Sequence, residues 1–139
     1  NIDGLLSHPA TWGSLEGSLL LLHYMSVASE FGLRINHLIK TKNRDKTPNW
    51  AKNSIIIKSF RPNDRYNTRS AKGMINYIRN KMAHFGECSE DLKKLFGNTP
   101  QGVIDYFNKH VIKGGDLVFE LWKEVKRLKI SSLSYFWAD

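Results

Sequence analysis

Along most of this chain apolar residues recur at three- and four-residue steps, and each such run is bounded by a residue that starts or stops a helix. That pairing leads to packed helices. From Ser14 to Arg34 the apolar positions are Leu15, Leu19, Leu22, Met25 or Val27, and Phe31, with Ser14 as N-cap and Gly32 near the end. A shorter helix is expected over Ile35–Lys40, then a polar, mobile loop over Thr41–Thr47 ending at Pro48. Trp50–Phe60 contains Ile55-Ile56-Ile57, which suits a strand by β-branching, but a lone strand finds no partner elsewhere in the pattern, so a helix is expected. Arg61-Pro62-Asn63-Asp64 reads as a turn. Ser70–Phe85 places Met74, Ile75, Ile78, Met82 and Phe85 on one stripe, with Lys72, Asn76, Arg79, Asn80 and Ala83 opposite. Ser89 caps a helix over Glu90–Phe96 that Gly97 stops, and Thr99-Pro100 opens one carrying Val103, Ile104, Phe107 and Val111 as far as Gly114-Gly115. Asp116 caps the next, whose core face is Leu117, Val118, Leu121, Val125 and Leu128 with Trp122 alongside; the aromatic tail Tyr135-Phe136-Trp137 packs back on the bundle. The expected class is all-α, a compact multi-helix bundle.

With 139 residues, 41% of them hydrophobic, the chain suits one core. Its longest apolar run, Leu19–Leu22, is far too short to span a bilayer, so no membrane contact is expected of this segment. Asn1-Ile2-Asp3-Gly4 lacks the marks of a secretory leader, and a lone Cys88 excludes an internal disulfide framework or a cysteine zinc cage.

Charge is unevenly spread. Residues 1–33 carry three acidic and no basic groups, and residues 82–139 balance eight against eight. Residues 34–81 hold thirteen Lys and Arg against only Asp45 and Asp64, more than the whole chain's net charge of +8. Such a segment faces a polyanion, because neutralising a phosphate backbone releases its condensed counterions. RNA or DNA is the leading partner class; a solvated basic face, an acidic protein or an anionic surface are the alternatives.

Familiar catalytic signatures are absent. The chain has no glycine-rich phosphate loop, no His-Glu-x-x-His, no Gly-x-Ser-x-Gly and no close carboxylate pair, and His8, His23, His37, His84 and His110 are too scattered for a metal set. His84 differs by its company. Asn80 and His84 are four apart on one helix face, Arg79 lies beside them, and Arg65-Tyr66-Asn67 leaves the preceding turn toward the same surface. RNA cleavage without a metal asks for a base at the ribose 2′-OH, an acid at the departing 5′-oxygen, and a cation with amide donors for the charge on the phosphorane-like transition state. An imidazole donates a proton readily at cellular pH, whereas a phenol serves as base only if Arg65, Arg69 or Arg79 favours the phenolate. Arg44 and Lys46 in the loop, Lys52, Lys58, Arg65 and Arg69 are the expected RNA-docking cations. Trp12, Trp50 and Trp122 are expected to anchor a core or interface rather than stack on bases.

Tyr66, then Arg79-Asn80 thirteen residues on, then His84, Glu87, Leu95-Phe96-Gly97, Pro100-Gln101-Gly102 and Tyr106-Phe107, resembles the KEN domain, the kinase-extension nuclease of the inositol-requiring unfolded-protein-response sensors and of ribonuclease L. Leu6-Ser7-His8-Pro9-Ala10-Thr11-Trp12 is similar to the motif that ends their kinase lobe, so residues 1–12 would be the end of a kinase C-lobe or a linker and residues 13–139 the ribonuclease domain. The resemblance runs from about Leu5 to about Lys129. It implies Tyr66 as general base, His84 as general acid, Arg79 and Asn80 as the phosphate-binding pair, 2′,3′-cyclic phosphate and 5′-hydroxyl products, and no cofactor for cleavage, with ATP and Mg only in an upstream kinase domain. It also implies single-stranded or stem-loop RNA as substrate, a homodimer in the full-length parent, a covalently linked kinase, and a position on the cytosolic side, the parent being in the endoplasmic-reticulum membrane or the cytosol. Four positions depart from the family pattern: Gly73 stands where an acidic residue is usual, Ala10-Thr11 replaces Phe-Phe, and Phe85 replaces a frequent Tyr. The competing expectations are a non-catalytic dimerisation or adaptor module and an RNA-binding domain without cleavage.

Overall fold

The computed structural model describes residues 49–112 and 115–128. Within them lie five α-helices: α1 (Ser54–Lys58), α2 (Ala71–Ala83), α3 (Glu90–Leu95), α4 (Gln101–His110) and α5 (Leu117–Leu128), with a 3₁₀ turn at Phe85–Glu87. No strand occurs among the described residues, which bears out the all-α class. The helices expected over 14–34 and 35–40, the loop 41–47 with Arg44 and Lys46, Trp12, and the aromatic tail lie outside the described residues, as do the side chains of Trp122, Val125 and Leu128.

Most boundaries follow from caps. Ser70 Oγ accepts the Gly73 N–H at 3.1 Å and opens α2, and Ser89 Oγ accepts from Leu92 N at 3.2 Å to open α3. At the end of α3, Gly97 and Asn98 take φ of 71° and 64°, and the Asn98 N–H returns 2.8 Å to the Lys93 carbonyl in a Schellman-type closure. Thr99 Oγ1 accepts from Gly102 N at 3.1 Å with Pro100 inside the first turn of α4, and Asp116 Oδ1 accepts from Phe119 N at 3.3 Å to cap α5.

The first helix is shorter than Trp50–Phe60. Asn53 Oδ1 accepts the Ile55 N–H and starts it late, while Trp50 is held elsewhere: its backbone N–H donates 3.0 Å to Thr68 O and its indole Nε1–H donates 2.8 Å to Asn67 O. The Asn53 cap therefore sets the start of the helix, and Trp50 belongs to the loop contact before it. Ile56 is fully buried and Ile57 half exposed, so the isoleucine triplet contributes one core residue at helical spacing.

Helix α2 is central and packs against α4, which in turn meets α5, while α1 packs on α3. Its buried surface is wider than the expected stripe, for Tyr77 and Lys81 are buried along with Met74, Ile75, Ile78 and Met82. Tyr77 joins Trp50, Phe60, Tyr66 and Phe107 in a tilted and edge-on aromatic cluster, with Tyr66 centred 5.2 Å from Phe60 and 5.4 Å from Tyr77. Each such pair is worth about 0.5–1.5 kcal/mol beyond its buried area. Among the described residues no helix is long and apolar enough to cross a membrane.

Candidate active site

The loop between Asp64 and Ser70 carries Tyr66, and three contacts seat it on α2. Trp50 grips it at Asn67 and Thr68, the Tyr66 ring stacks edgewise on Tyr77, and Gly73 lets the Asn67 backbone lie directly on the helix. A Cβ on Gly73 would fall 2.1 Å from Asn67 O, well inside any tolerable contact. The departure from the family pattern at Gly73 therefore coincides with the point where the Tyr66 loop touches α2, and Ser70 caps that helix.

Two adjoining hollows result. The first is lined by Tyr66, Arg79, Asn80 and Asn76 with Asn63 and Asp64 at its edge. The second holds His84 and Asn80 together with Arg61, Lys81, Glu87 and Cys88, and Asp64 also borders it. Asn80 and Asp64 are the shared wall. Tyr66, Arg79, Asn80 and His84 thus lie along one continuous surface.

His84 terminates α2. Its N–H donates 3.0 Å to Asn80 O, and its own carbonyl accepts from Glu87 N at 2.9 Å, so the following 3₁₀ turn fixes its backbone. The imidazole is exposed, and Nδ1 lies 3.0 Å from Glu87 Oε2. With Nδ1–H donated to the carboxylate, Nε2 is the nitrogen that can exchange a proton with a substrate.

Tyr66 behaves differently from the expectation. Burial pushes its phenol above the ordinary value and nearby Asp64 adds to the rise, while the guanidinium groups of Arg79 and Arg61 pull the other way. Of the three arginines expected to favour phenolate, Arg79 alone acts, aided by Arg61, and neither outweighs desolvation. Burial likewise raises Cys88.

The docking cations disperse. Arg65 borders the tyrosine hollow, but its Nη1 donates to Pro62 O at 3.1 Å and Asp64 O at 3.2 Å, tying it to its own turn. Lys58 lies on a further hollow beyond His84, and Lys52 and Arg69 are exposed but line none of these three. Arg61, Asp64 and Lys81 were not among the expected site residues. Lys81 is 7% exposed, with its ammonium 5.5 Å from the Tyr77 ring centroid. Its four-residue step from Tyr77 was the available signal, missed because a lysine is not counted in an apolar stripe. Among the described residues no group of three or more His, Cys, Asp or Glu is placed to hold a metal ion.

The serine/threonine-protein kinase/endoribonuclease IRE1 of rice, Oryza sativa subsp. japonica, is 37% identical over 60 residues, a match covering 43% of this chain and 7% of that protein. No solved structure matches. The family model described as Ribonuclease 2-5A matches residues 28–136, well over half of the chain. The chain belongs to the Ribonuclease 2-5A family, the KEN-domain family that its Tyr66, Arg79-Asn80 and His84 spacing resembles.

Proposed function

We propose that this chain is an endoribonuclease domain cleaving RNA by attack of the ribose 2′-OH on the adjacent phosphodiester, without a metal, to leave 2′,3′-cyclic phosphate and 5′-hydroxyl ends. The observation that carries this reading is the position of Asn80 on the wall between the tyrosine hollow and the histidine hollow. A phosphodiester seated at Asn80 has Tyr66 and Arg79 on one side and His84 on the other. The 2′-oxygen then attacks from the side of Tyr66 and the 5′-oxygen leaves toward His84, as in-line displacement requires. Tyr66 takes the 2′-proton, Nε2 of His84 gives one to the leaving oxygen, and Arg79 with the Asn80 amide stabilises the charge on the non-bridging oxygens. Because burial holds the Tyr66 phenol above its ordinary value, the phenolate is a minor species near neutrality, and Arg79 and Arg61 limit that penalty. Glu87 keeps the imidazole oriented.

The substrate class is single-stranded or looped RNA, where the 2′-OH and base edges are accessible. By likeness to the rice kinase/endoribonuclease, the domain works attached to a protein kinase; the resemblance to the KEN domain adds the proposal of a homodimer, on the cytosolic side of a membrane-anchored or cytosolic parent. The test is incubation of the chain, free and artificially dimerised, with a labelled stem-loop RNA in EDTA. Cyclic-phosphate products that disappear with His84→Ala support the proposal. Binding without cleavage refutes it in favour of an RNA-binding domain, and neither binding nor cleavage refutes it in favour of an adaptor module.

A further inference from the structure

The two hollows of the candidate site continue into a third. It shares Arg61, Lys81, Glu87 and Cys88 with the histidine hollow, and Lys58 stands on its far part. The third hollow shares no lining residue with the tyrosine hollow. The three are therefore in linear order, with Tyr66 at one end, Asn80 and His84 in the middle and Lys58 at the other. Arg61 and Lys81 stand at the border of the second and third hollows, against Glu87, which His84 engages, and beyond them the third hollow carries Lys58 with Asp91.

We propose that this trough imposes one direction on the bound RNA: the strand runs 5′ to 3′ from the Tyr66 end toward Lys58, and Arg61 and Lys58 hold the phosphate next downstream of the cut. This rests on the endoribonuclease reading and deepens it. The 2′-OH belongs to the nucleotide on the 5′ side of the scissile phosphate, and the leaving oxygen to the nucleotide on the 3′ side. If Tyr66 attends the first and His84 the second, the chain beyond His84 is the 3′ continuation, and its next phosphate meets the cations at the border of the second and third hollows. Arg61 belongs at that border because it lines both the second and the third hollow. A guanidinium suits the role because it engages a phosphate through two parallel N–H donors.

The experiment measures binding of the full chain, by fluorescence anisotropy, to a short RNA that carries a 2′-O-methyl group on the nucleotide 5′ of the cut and so is not cleaved. One phosphate at a time is replaced by a neutral methylphosphonate. The expected cost of neutralising the phosphate immediately downstream is about tenfold in Kd, the loss of one charge-assisted contact. That cost should fall to less than twofold in Arg61→Gln and be reduced in Lys58→Gln, an exposed position where misfolding is no concern. Neutralising the upstream phosphate should cost the same in wild type and both variants. Coupling of Arg61 and Lys58 to the upstream phosphate, equal coupling to both, or none overturns the proposal. Cleavage of the unmodified RNA, with His84→Ala as control, is measured in parallel. A chain that cuts but lacks the downstream coupling loses the polarity alone, and one that fails to cut loses the endoribonuclease reading.

Discussion

Replacing Gly73 by alanine tests how the Tyr66 loop is seated, and the two competing effects have opposite signs. In a helix interior alanine is favoured over glycine by about 1 kcal/mol, so a Gly73 facing open space would make the variant more stable. Here the added methyl carbon would lie 2.1 Å from Asn67 O, whereas real contacts of this kind essentially never fall below 3.0 Å. The loop must retreat by about 1 Å, and it cannot do so freely. Asn67 O is the acceptor for the Trp50 indole at 2.8 Å, and the Ser70 N–H donates to the same oxygen at 3.3 Å. Overpacking of this kind costs about 1–3 kcal/mol, leaving a net loss of roughly 0–2 kcal/mol after the helical gain, or up to about 8 °C in Tm. Tyr66 moves with the loop, and a displacement near 1 Å at a reacting group costs up to ~100-fold in rate. Thermal melting followed by circular dichroism and single-turnover cleavage of a stem-loop RNA measure the two effects. A Gly73→Ala chain that melts above wild type, with cleavage intact, would refute the reasoning.

Trp50→Phe removes the N–H that holds Asn67 O and some of the cluster packing; about 1–3 kcal/mol of stability should be lost in urea titration, with kcat falling more than KM rises because Tyr66 is misplaced rather than absent. His84→Ala should lower cleavage by about 10²–10⁴-fold, and Glu87→Gln by a smaller factor, while RNA binding by anisotropy stays within twofold for both. With a 5′-thio leaving group, which needs no acid, His84→Ala should regain activity, and its rate should keep rising with pH through the ordinary phenol range. The sign follows from Tyr66: a base whose pKa is raised becomes competent only at higher pH, and a rate that levels off near neutrality would contradict it. Alkaline unfolding supplies the last test. Tyr66, Tyr77 and Tyr106 are all raised by burial, so the folded chain retains phenolic protons that the unfolded chain releases near pH 10. Stability is intact below that pH and should fall above it by about 1.4 kcal/mol per pH unit for each tyrosine still protonated in the fold. Tyrosinate absorbance rising in step with loss of helix is the expected readout, and Tyr77→Phe should make the decline shallower.

Helix positions and the helical part of the candidate site were legible from the amino-acid order because the interactions behind them span few residues. Ser70, Ser89, Thr99 and Asp116 each satisfy an N–H two or three positions on, Gly97 and Asn98 take the left-handed turn that ends α3, and Asn80 and His84 share a face by helical spacing alone. The spacing of Tyr66 from Arg79-Asn80 and His84 pointed to the family for the same reason: it is written in one dimension. Packing settled the rest. Trp50 reaches across 17 residues to Asn67, and that contact helps set the Tyr66 loop on the bare backbone at Gly73. Burial of Tyr77 and Lys81 depends on which elements close over α2, and desolvation by those same neighbours, against two guanidinium groups and a carboxylate, fixes the direction in which the Tyr66 phenol is displaced. Contacts within a turn of helix repeat wherever the same short segment occurs, whereas a desolvation energy or the order of three hollows exists only once distant segments have excluded water from between them.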